Sequence, residues 1–422
     1  ENFAKGHRFG FFPSIAVGYN ISNEKFWQPI KPVISNLKIR GSWGLVGNDA
    51  TNAGRFAYME DLVLGGSDSY TTGIRQDTYY SGPSWNRYFN PDLTWEVGEK
   101  INLGLDLQLF NDFNLTFDIF REKRRDIFMT RENSIPEIVG TGETKITSNN
   151  GEMENKGLDL AIDYNKQITK DFFLSFKSTL TFARNKVLKM DESPYFEYPG
   201  LSDVGHPLGT YWGYVADGLF PDQETIDNSP RQDLGYTPQP GDIKYVNQPN
   251  AKGEYDNVIN SNDRVAIGHP YDPELVYGFG PSMKWKNWDF SFFFQGVART
   301  SFMMYGMHPF GTTSIKNMLQ FVADDHWSVD NPNPNAAYPR LTKDSNGNND
   351  QYSTYWLRNA AFLKLKNAEI GYTYKGMRFY LSGVNLLTFS PFKHWDPEMG
   401  GGNGLYYPTQ RVFNIGFQMT IQ

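Results

Sequence analysis

Residues Ile101 to Phe120 read INLGLDLQLF-ND-FNLTFDIF. In an extended chain, Ile101, Leu103, Leu105, Leu107 and Leu109 share one face, while Asn102, Gly104, Asp106 and Gln108 share the other, because strand side chains alternate sides. After the turn residues Asn111-Asp112, Phe113, Leu115, Phe117 and Ile119 fall on one face, and Asn114, Thr116 and Asp118 on the opposite one. The pattern predicts a β-hairpin of two strands joined by a two-residue turn. Each strand has about ten residues, enough to cross a bilayer as a tilted strand. A soluble sandwich would bury the Leu/Phe face under a second sheet. A membrane barrel would turn that face to lipid and the Asn/Asp/Gln face to a lumen.

Repetition of the pattern chooses between them. Phe9 to Ile21 alternates around Pro13, which hints at a sheet edge or bulge. Leu37 to Trp43 is two-faced, and so are Leu158 to Tyr164 and Phe172 to Phe182, with a tight connection expected at Lys166 to Lys170. A hairpin from Leu275 to Val297 turns at Lys286-Asn287, with Trp285 and Trp288 at the strand ends where a membrane interface selects aromatic rings. Another, Phe362 to Leu387, turns at Lys375-Gly376, and the chain closes on the alternating run Phe413 to Ile421. That makes about eleven long strands. Long loops are expected near 47–98, 130–151, 187–273, 301–359 and 389–410, separated by short turns. Wide loops at one end and small turns at the other are the plan of an up-and-down barrel; a Greek-key sandwich mixes the two. Asp106, Asp118, Asp159 and Asp163 all fall on the polar face, which a lipid contact on the other face requires.

Composition is consistent with this and excludes other classes. The 422 residues hold 40 Gly, 24 Pro, 16% aromatic residues and no Cys, with a net charge of −7. A mean hydropathy of −0.55 and the lack of any run of about 18 apolar residues exclude a helical membrane protein, but not a strand-built one. Without Cys there is neither a disulfide framework nor thiol chemistry. Mild acidity and the absence of a basic run argue against nucleic acid. The fold class expected is all-β: a transmembrane antiparallel β-barrel. An odd number of strands does not close a bacterial single-chain barrel, so the chain reads as part of a longer one. Glu1-Asn2-Phe3 starts in mid-pattern with no leader.

Several phrases then resemble the SusC-like (SusC/RagA) TonB-dependent receptors. They are Phe12-Pro13-Ser14-Ile15-Ala16-Val17-Gly18-Tyr19-Asn20, Leu37-Lys38-Ile39-Arg40-Gly41-Ser42-Trp43-Gly44, Asn90-Pro91-Asp92-Leu93-Thr94-Trp95-Glu96 and Asn155-Lys156-Gly157-Leu158-Asp159. Further on come Gly213-Tyr214-Val215-Ala216-Asp217-Gly218-Leu219-Phe220, Gly241-Asp242-Ile243-Lys244-Tyr245 and Trp356-Leu357-Arg358-Asn359. The resemblance implies that residues 1–422 are the last eleven strands of a 22-strand barrel in the outer membrane, with 187–273 a large extracellular loop insertion. It also implies a plug and a TonB-engaging segment elsewhere, partners TonB-ExbB-ExbD and a SusD-like surface lipoprotein, and import of glycans or peptides. Two departures stand out. The family's calcium-like loop after Gly-Asp-Ile-Lys-Tyr is replaced here, and only Asp256, Asn260 and Asp263 keep places suited to weak Ca²⁺ ligation. The last strand ends on Ile421-Gln422 where such strands often end on an aromatic residue.

Chemistry has thin support. Asp324-Asp325-His326 and the cluster Asp222, Glu224, Asp227 place carboxylates together, but acidic residues are common in these loops. The six His at 7, 206, 269, 308, 326 and 394 lack metal spacing, and Gly400-Gly401-Gly402 follows no strand-to-helix pattern. No enzyme is expected. Loop aromatics are the better ligand contacts: Tyr79, Tyr80, Trp85, Tyr211, Trp212, Tyr214, Trp395, Tyr406 and Tyr407 present faces that stack on a sugar or hold a peptide side chain. The reading is an energised importer of nutrient oligomers. The alternatives are a soluble or surface-attached β-rich glycan-binding or hydrolytic protein, and a passive porin-like or adhesion barrel.

Overall fold

The computed structural model of the chain describes residues 2–50, 54–65, 69–131, 133, 135, 138, 146–193, 197–305, 310–311, 314–315, 319–342 and 345–420. Eleven strands form one antiparallel sheet in chain order: β1 (Ser14–Asn20), β2 (Ile34–Asn48), β3 (Glu96–Leu109), β4 (Phe113–Arg131), β5 (Ile146–Thr169) and β6 (Phe172–Lys189), then β7 (Leu275–Trp285), β8 (Trp288–Ala298), β9 (Phe362–Tyr374), β10 (Met377–Phe389) and β11 (Val412–Met419). No helix of the described residues is long and apolar enough to cross a membrane.

The hydrogen-bond register carries the hairpin's two faces across the whole sheet. Ile39 pairs with Leu105, Leu105 with Phe117, Phe117 with Leu160, Leu160 with Leu180 and Leu180 with Tyr277. The neighbouring inner row runs Gly18, Arg40, Gly104, Asp118, Asp159, Thr181. One side of the sheet is therefore apolar and the other polar. Among the described residues nothing layers over the apolar side: Leu103, Ile119 and Phe379 are each more than half exposed. A contiguous uncovered apolar face of this extent marks a membrane or partner contact.

The turns refine the expectation. The connection between β5 and β6 is only Lys170-Asp171, because β5 runs on to Thr169. The opening hairpin turns through three residues rather than two. Phe110 leaves the ladder with φ of 52° and Asn111 follows at 61°, so this aromatic residue, which would fall on the polar face if the strand continued, belongs to the turn. Lys375-Gly376 has φ of 49° and 81°, the doubly positive geometry that fits a tight hairpin to strand twist. β1 starts only after Pro13, whose carbonyl still accepts from Leu45 N–H at 2.9 Å.

At the opposite end the wide loops do not stay open. Described residues of the three loops that follow β6, β8 and β10 build one core, which includes Tyr214, Ile243, Tyr245, Ile259, Phe302, Met304, Trp327, Tyr338, Trp356 and Phe392. Short ladders tie it together: Tyr211–Gly213 with Val265–Ile267, Ala216–Leu219 with Ile243–Tyr245, and Ser301–Met303 with Leu357–Asn359. At its centre, fully buried Asp242 accepts from Arg340 Nε at 2.7 Å, Asn346 Nδ2 at 2.9 Å and Asn349 Nδ2 at 2.8 Å.

Candidate functional site

The polar face of the sheet is built for charge. Arg40 on β2 reaches over Gly104 on β3. It donates from Nε to Asp106 at 2.9 Å and from a terminal nitrogen to Asp118 of β4 at 2.9 Å. A Cβ at Gly104 would lie 2.6 Å from both Arg40 Cζ and Asp118 Oδ1, so the glycine makes the bridge possible. The device recurs six strands away. Arg378 on β10 crosses above Gly371 on β9 to reach Glu369, at 2.5 Å, and Asp289 of β8. Toward the wide-loop end this wall opens into a recess of about 500 Å³, lined by Asn48, Glu96, Glu122, Arg124, Asn155 and Asn185 among others.

The loop core closes onto the same wall. Lys364 of β9 lies on the polar side and is fully buried, because the β10–β11 loop brings Asp396 and Glu398 to its ammonium, with Asp396 at 2.6 Å. Burial opposes charge on Asp396, yet the Lys364 and Thr409 hydrogen bonds hold its carboxyl below the ordinary value of 3.8. Beside this clamp stands a group of tyrosines. Gly402 is fixed against Met303 and Tyr305 by Gly402 N–H to Met303 O at 2.8 Å and Tyr305 N–H to Gly402 O at 3.1 Å. A Cβ there would meet Tyr406 at 3.4 Å and Tyr305 at 3.6 Å. Tyr305 hydrogen-bonds Tyr406, which raises its pKa. Tyr211 is pushed up to about 12, mostly by burial and then by the nearby Tyr271, Tyr352 and Tyr305. Tyr271, Tyr305, Tyr352 and Tyr406 remain about half exposed. Phenol edges and faces so arranged can hydrogen-bond and stack on a polar oligomer.

The structure separates the nine sequence-named aromatics. Tyr406 and Tyr407 are exposed, and Tyr211 borders the tyrosine group. Tyr214 is a core side chain, 3% exposed, and Trp395 packs on Phe302 and Phe392. Trp212 donates to Asp203 at 2.6 Å. Tyr79, Tyr80 and Trp85 lie in the separate β2–β3 loop, with Tyr80 stacked on Tyr70 and Trp85 on Tyr88. Tyr271, Tyr305 and Tyr352 went unnamed in the sequence reading, since nothing local joins positions so far apart. Asp256, Asn260 and Asp263 act as backbone caps. Asp263 accepts from Asn260 N–H and Gln248 N–H, Asn260 from Asn262 N–H, and Asp256 from Val258 N–H. Burial raises the Asp263 pKa. Among the described residues no group of three or more His, Cys, Asp and Glu converges as a metal site.

The comparisons agree with the fold. A family model described as "TonB dependent receptor-like, beta-barrel" matches residues 2–386. SusC of Bacteroides thetaiotaomicron is 29% identical over 99% of the chain, which covers 41% of that receptor. TonB-dependent receptor P26 of Formosa agariphila is 28% identical over 99% of the chain, covering 43% of it. The RagAB peptide importer in its "open-open" state is similar with a TM-score of 0.75 over 100% of the chain and 44% of that one, at 21% identity. The chain thus spans less than half the length of these relatives.

Proposed function

The chain belongs to the TonB-dependent receptor β-barrel family, whose place is the outer membrane, and from that premise we propose that it serves active import of nutrient oligomers, glycans or peptides. The apolar sheet face meets lipid, the Arg-bridged face lines the passage, and the wide loops form the mouth. Residues 187–273 are then a large extracellular insertion within that mouth. The substrate is bound and released unchanged, so no residue here has a catalytic role. A plug, the remaining strands and a TonB-engaging segment would be supplied by the rest of the protein, with energy from TonB-ExbB-ExbD. A SusD-like lipoprotein would cover the loops.

The observation that carries the reading is Lys364. A fully buried ammonium on the polar side of a membrane sheet, clamped by the β10–β11 loop at the wide-loop end, supports loops that fold over that side and leave the lipid side bare. A soluble lectin or hydrolase would need that apolar side covered. The tyrosine group around Gly402 supplies an oligomer-binding surface that no charge dominates.

The test uses the full-length receptor with its neighbouring lipoprotein. Uptake of oligosaccharides and of oligopeptides is compared in cells with the gene intact, deleted, or carrying Tyr271→Ala with Tyr305→Ala. Deletion should abolish growth on one of the two classes, and the double variant should weaken binding of that class by on the order of tenfold, at about 0.5–1.5 kcal/mol per aromatic contact. Growth on both classes after deletion would overturn the proposal.

A further inference from the structure

The lipid-facing side is apolar along most of the sheet, but not at the wide-loop end of β4–β6. The last apolar row there is Ile119, Leu158 and Phe182, paired across the strands. The next outward row consists of Arg121, Lys156 and Arg184, again directly paired: Arg121 with Lys156 and Lys156 with Arg184. Three like charges side by side on neighbouring strands repel one another. Beyond them stand Lys123, Glu154 and Lys186, then Arg125 and Glu152. The same outward positions on β9 and β10 are Leu363, Leu365, Leu387 and Phe389, so the cationic rows are confined to one sector.

The level of these rows is marked within the fold. Trp43 of β2 pairs with Ile101, and Ile101 with Arg121. The Trp43 indole N–H donates to Glu99 at 2.9 Å, giving an apolar ring with a wet edge, as at a membrane–water interface. On this register row the apolar band thus gives way to polar groups, the change expected toward a membrane–water boundary.

The carboxylates that accompany these cations stand beside them, one row further out or at the start of the next strand. Glu154 holds Arg121 at 2.6 Å and Lys156 at 2.7 Å, and its side chain is 11% exposed. Glu274, which is 4% exposed, takes Arg184 at 3.1 Å and is shared with Arg299. Glu152 pairs with Lys123 and Asp126 with Arg125. Arg121, Lys156 and Arg184 are all more than half exposed. Each guanidinium has five donors, more than one carboxylate uses. The buried acids orient the cations, and the outward side of each head stays available to an anion in the membrane plane.

We propose that the row Arg121–Lys156–Arg184 is a seat for the phosphate-bearing headgroup of an anionic lipid in the leaflet on the wide-loop side. The acyl chains of that lipid would lie along the apolar face that begins at Ile119, Leu158 and Phe182. Charge complementarity at headgroup depth, directly continuous with the apolar band, identifies the occupant as a lipid.

The full-length receptor in nanodiscs containing phosphatidylglycerol or only phosphatidylcholine tests this. Retained phosphatidylglycerol per protein is measured after detergent exchange, and folding is checked by migration of unheated protein. Arg121→Gln with Lys156→Gln and Arg184→Gln should weaken retention by on the order of a hundredfold, at the usual worth of a surface cation near anionic lipid. A control, Arg231→Gln with Lys252→Gln in the loops, should retain lipid like the wild type. If the triple variant does not assemble, Lys156→Gln alone should give about a fivefold loss. Equal retention by the wild type and whichever variant assembles, or no preference for phosphatidylglycerol by the wild type, would overturn the proposal.

Discussion

The eleven-stranded sheet and the core made by the wide loops are both β-rich, yet they place apolar side chains in opposite directions. In the sheet, Leu103 and Ile119 face outward and more than half exposed; in the loops, Ile243, Tyr245 and Phe302 are at most 2% exposed. Polar groups reverse as well. Arg40 bridges Asp106 and Asp118 along an open wall, whereas Asp242 has no exposure at all. Two solvents explain the difference. The loop core folds against water by burying apolar surface, and the sheet folds with lipid as its apolar partner and needs only that no backbone group be left unpaired.

If that separation is real, the two regions should fail separately. Asp242→Ala removes the acceptor shared by Arg340, Asn346 and Asn349. Breaking one partner out of a buried charge pair costs about 3–5 kcal/mol. External protease should then cut the loops while the unheated barrel still migrates as a folded species. Loss of that folded migration would mean that sheet and loop core form one cooperative unit.

The sheet has its own breaking point. Leu105→Arg puts a cation on the outward row between Ile39 and Phe117, which costs about 2–4 kcal/mol at the bilayer midplane. Gln108→Arg, on the inner face, should cost under about 0.5 kcal/mol. Unfolding midpoints in urea would order the two; equal shifts would contradict the assignment of faces. Gly104→Val is a smaller perturbation. Its side chain would meet Arg40 and Asp118 and cost about 1–3 kcal/mol as an overpacked site, measurable by the same midpoint.

How much was legible in the sequence follows the same division. Strand number, strand faces and the alternation of narrow turns with wide loops could be read because a period of two persists for many residues and each strand pairs with the next in the chain. The turn is one residue longer than the period suggests, because Phe110, an apolar residue at a polar-face position, takes a left-handed backbone and leaves the ladder. The loop core was illegible for a different reason. Its ladders are only two to four residues long and join distant segments: Gln232 Nε2 meets Asn348, and the Gly241-Asp242-Ile243 turn is held by Arg340, Asn346 and Asn349. No local period encodes such contacts. Tyr214 is accordingly a core side chain, and no local signal in the sequence joins Tyr271, Tyr305 and Tyr352.

The smallest effect tests the one place where the two regions are fastened together. Lys364 belongs to the sheet; Asp396 and Glu398 belong to the β10–β11 loop. The folded Asp396 carboxyl titrates below its ordinary value of 3.8 because Lys364 and Thr409 outweigh the cost of burial. A lowered acid pKa contributes stability that is fully present above the unfolded value and disappears as pH falls through the folded one. The clamp should hold unchanged from neutral pH down to about 4 and release only in stronger acid. Hydrogen exchange of the 390–411 segment measures this against pH. Lys364→Met should abolish the acid step, since the carboxylates then have no buried ammonium to lose. Release that sets in as pH falls below about 6.5, well before the carboxylates titrate, would instead assign the fastening to His394, whose pKa is lowered by burial and by Arg358, and would move the joint between sheet and loops from the Lys364 clamp to the aromatic packing around Phe392.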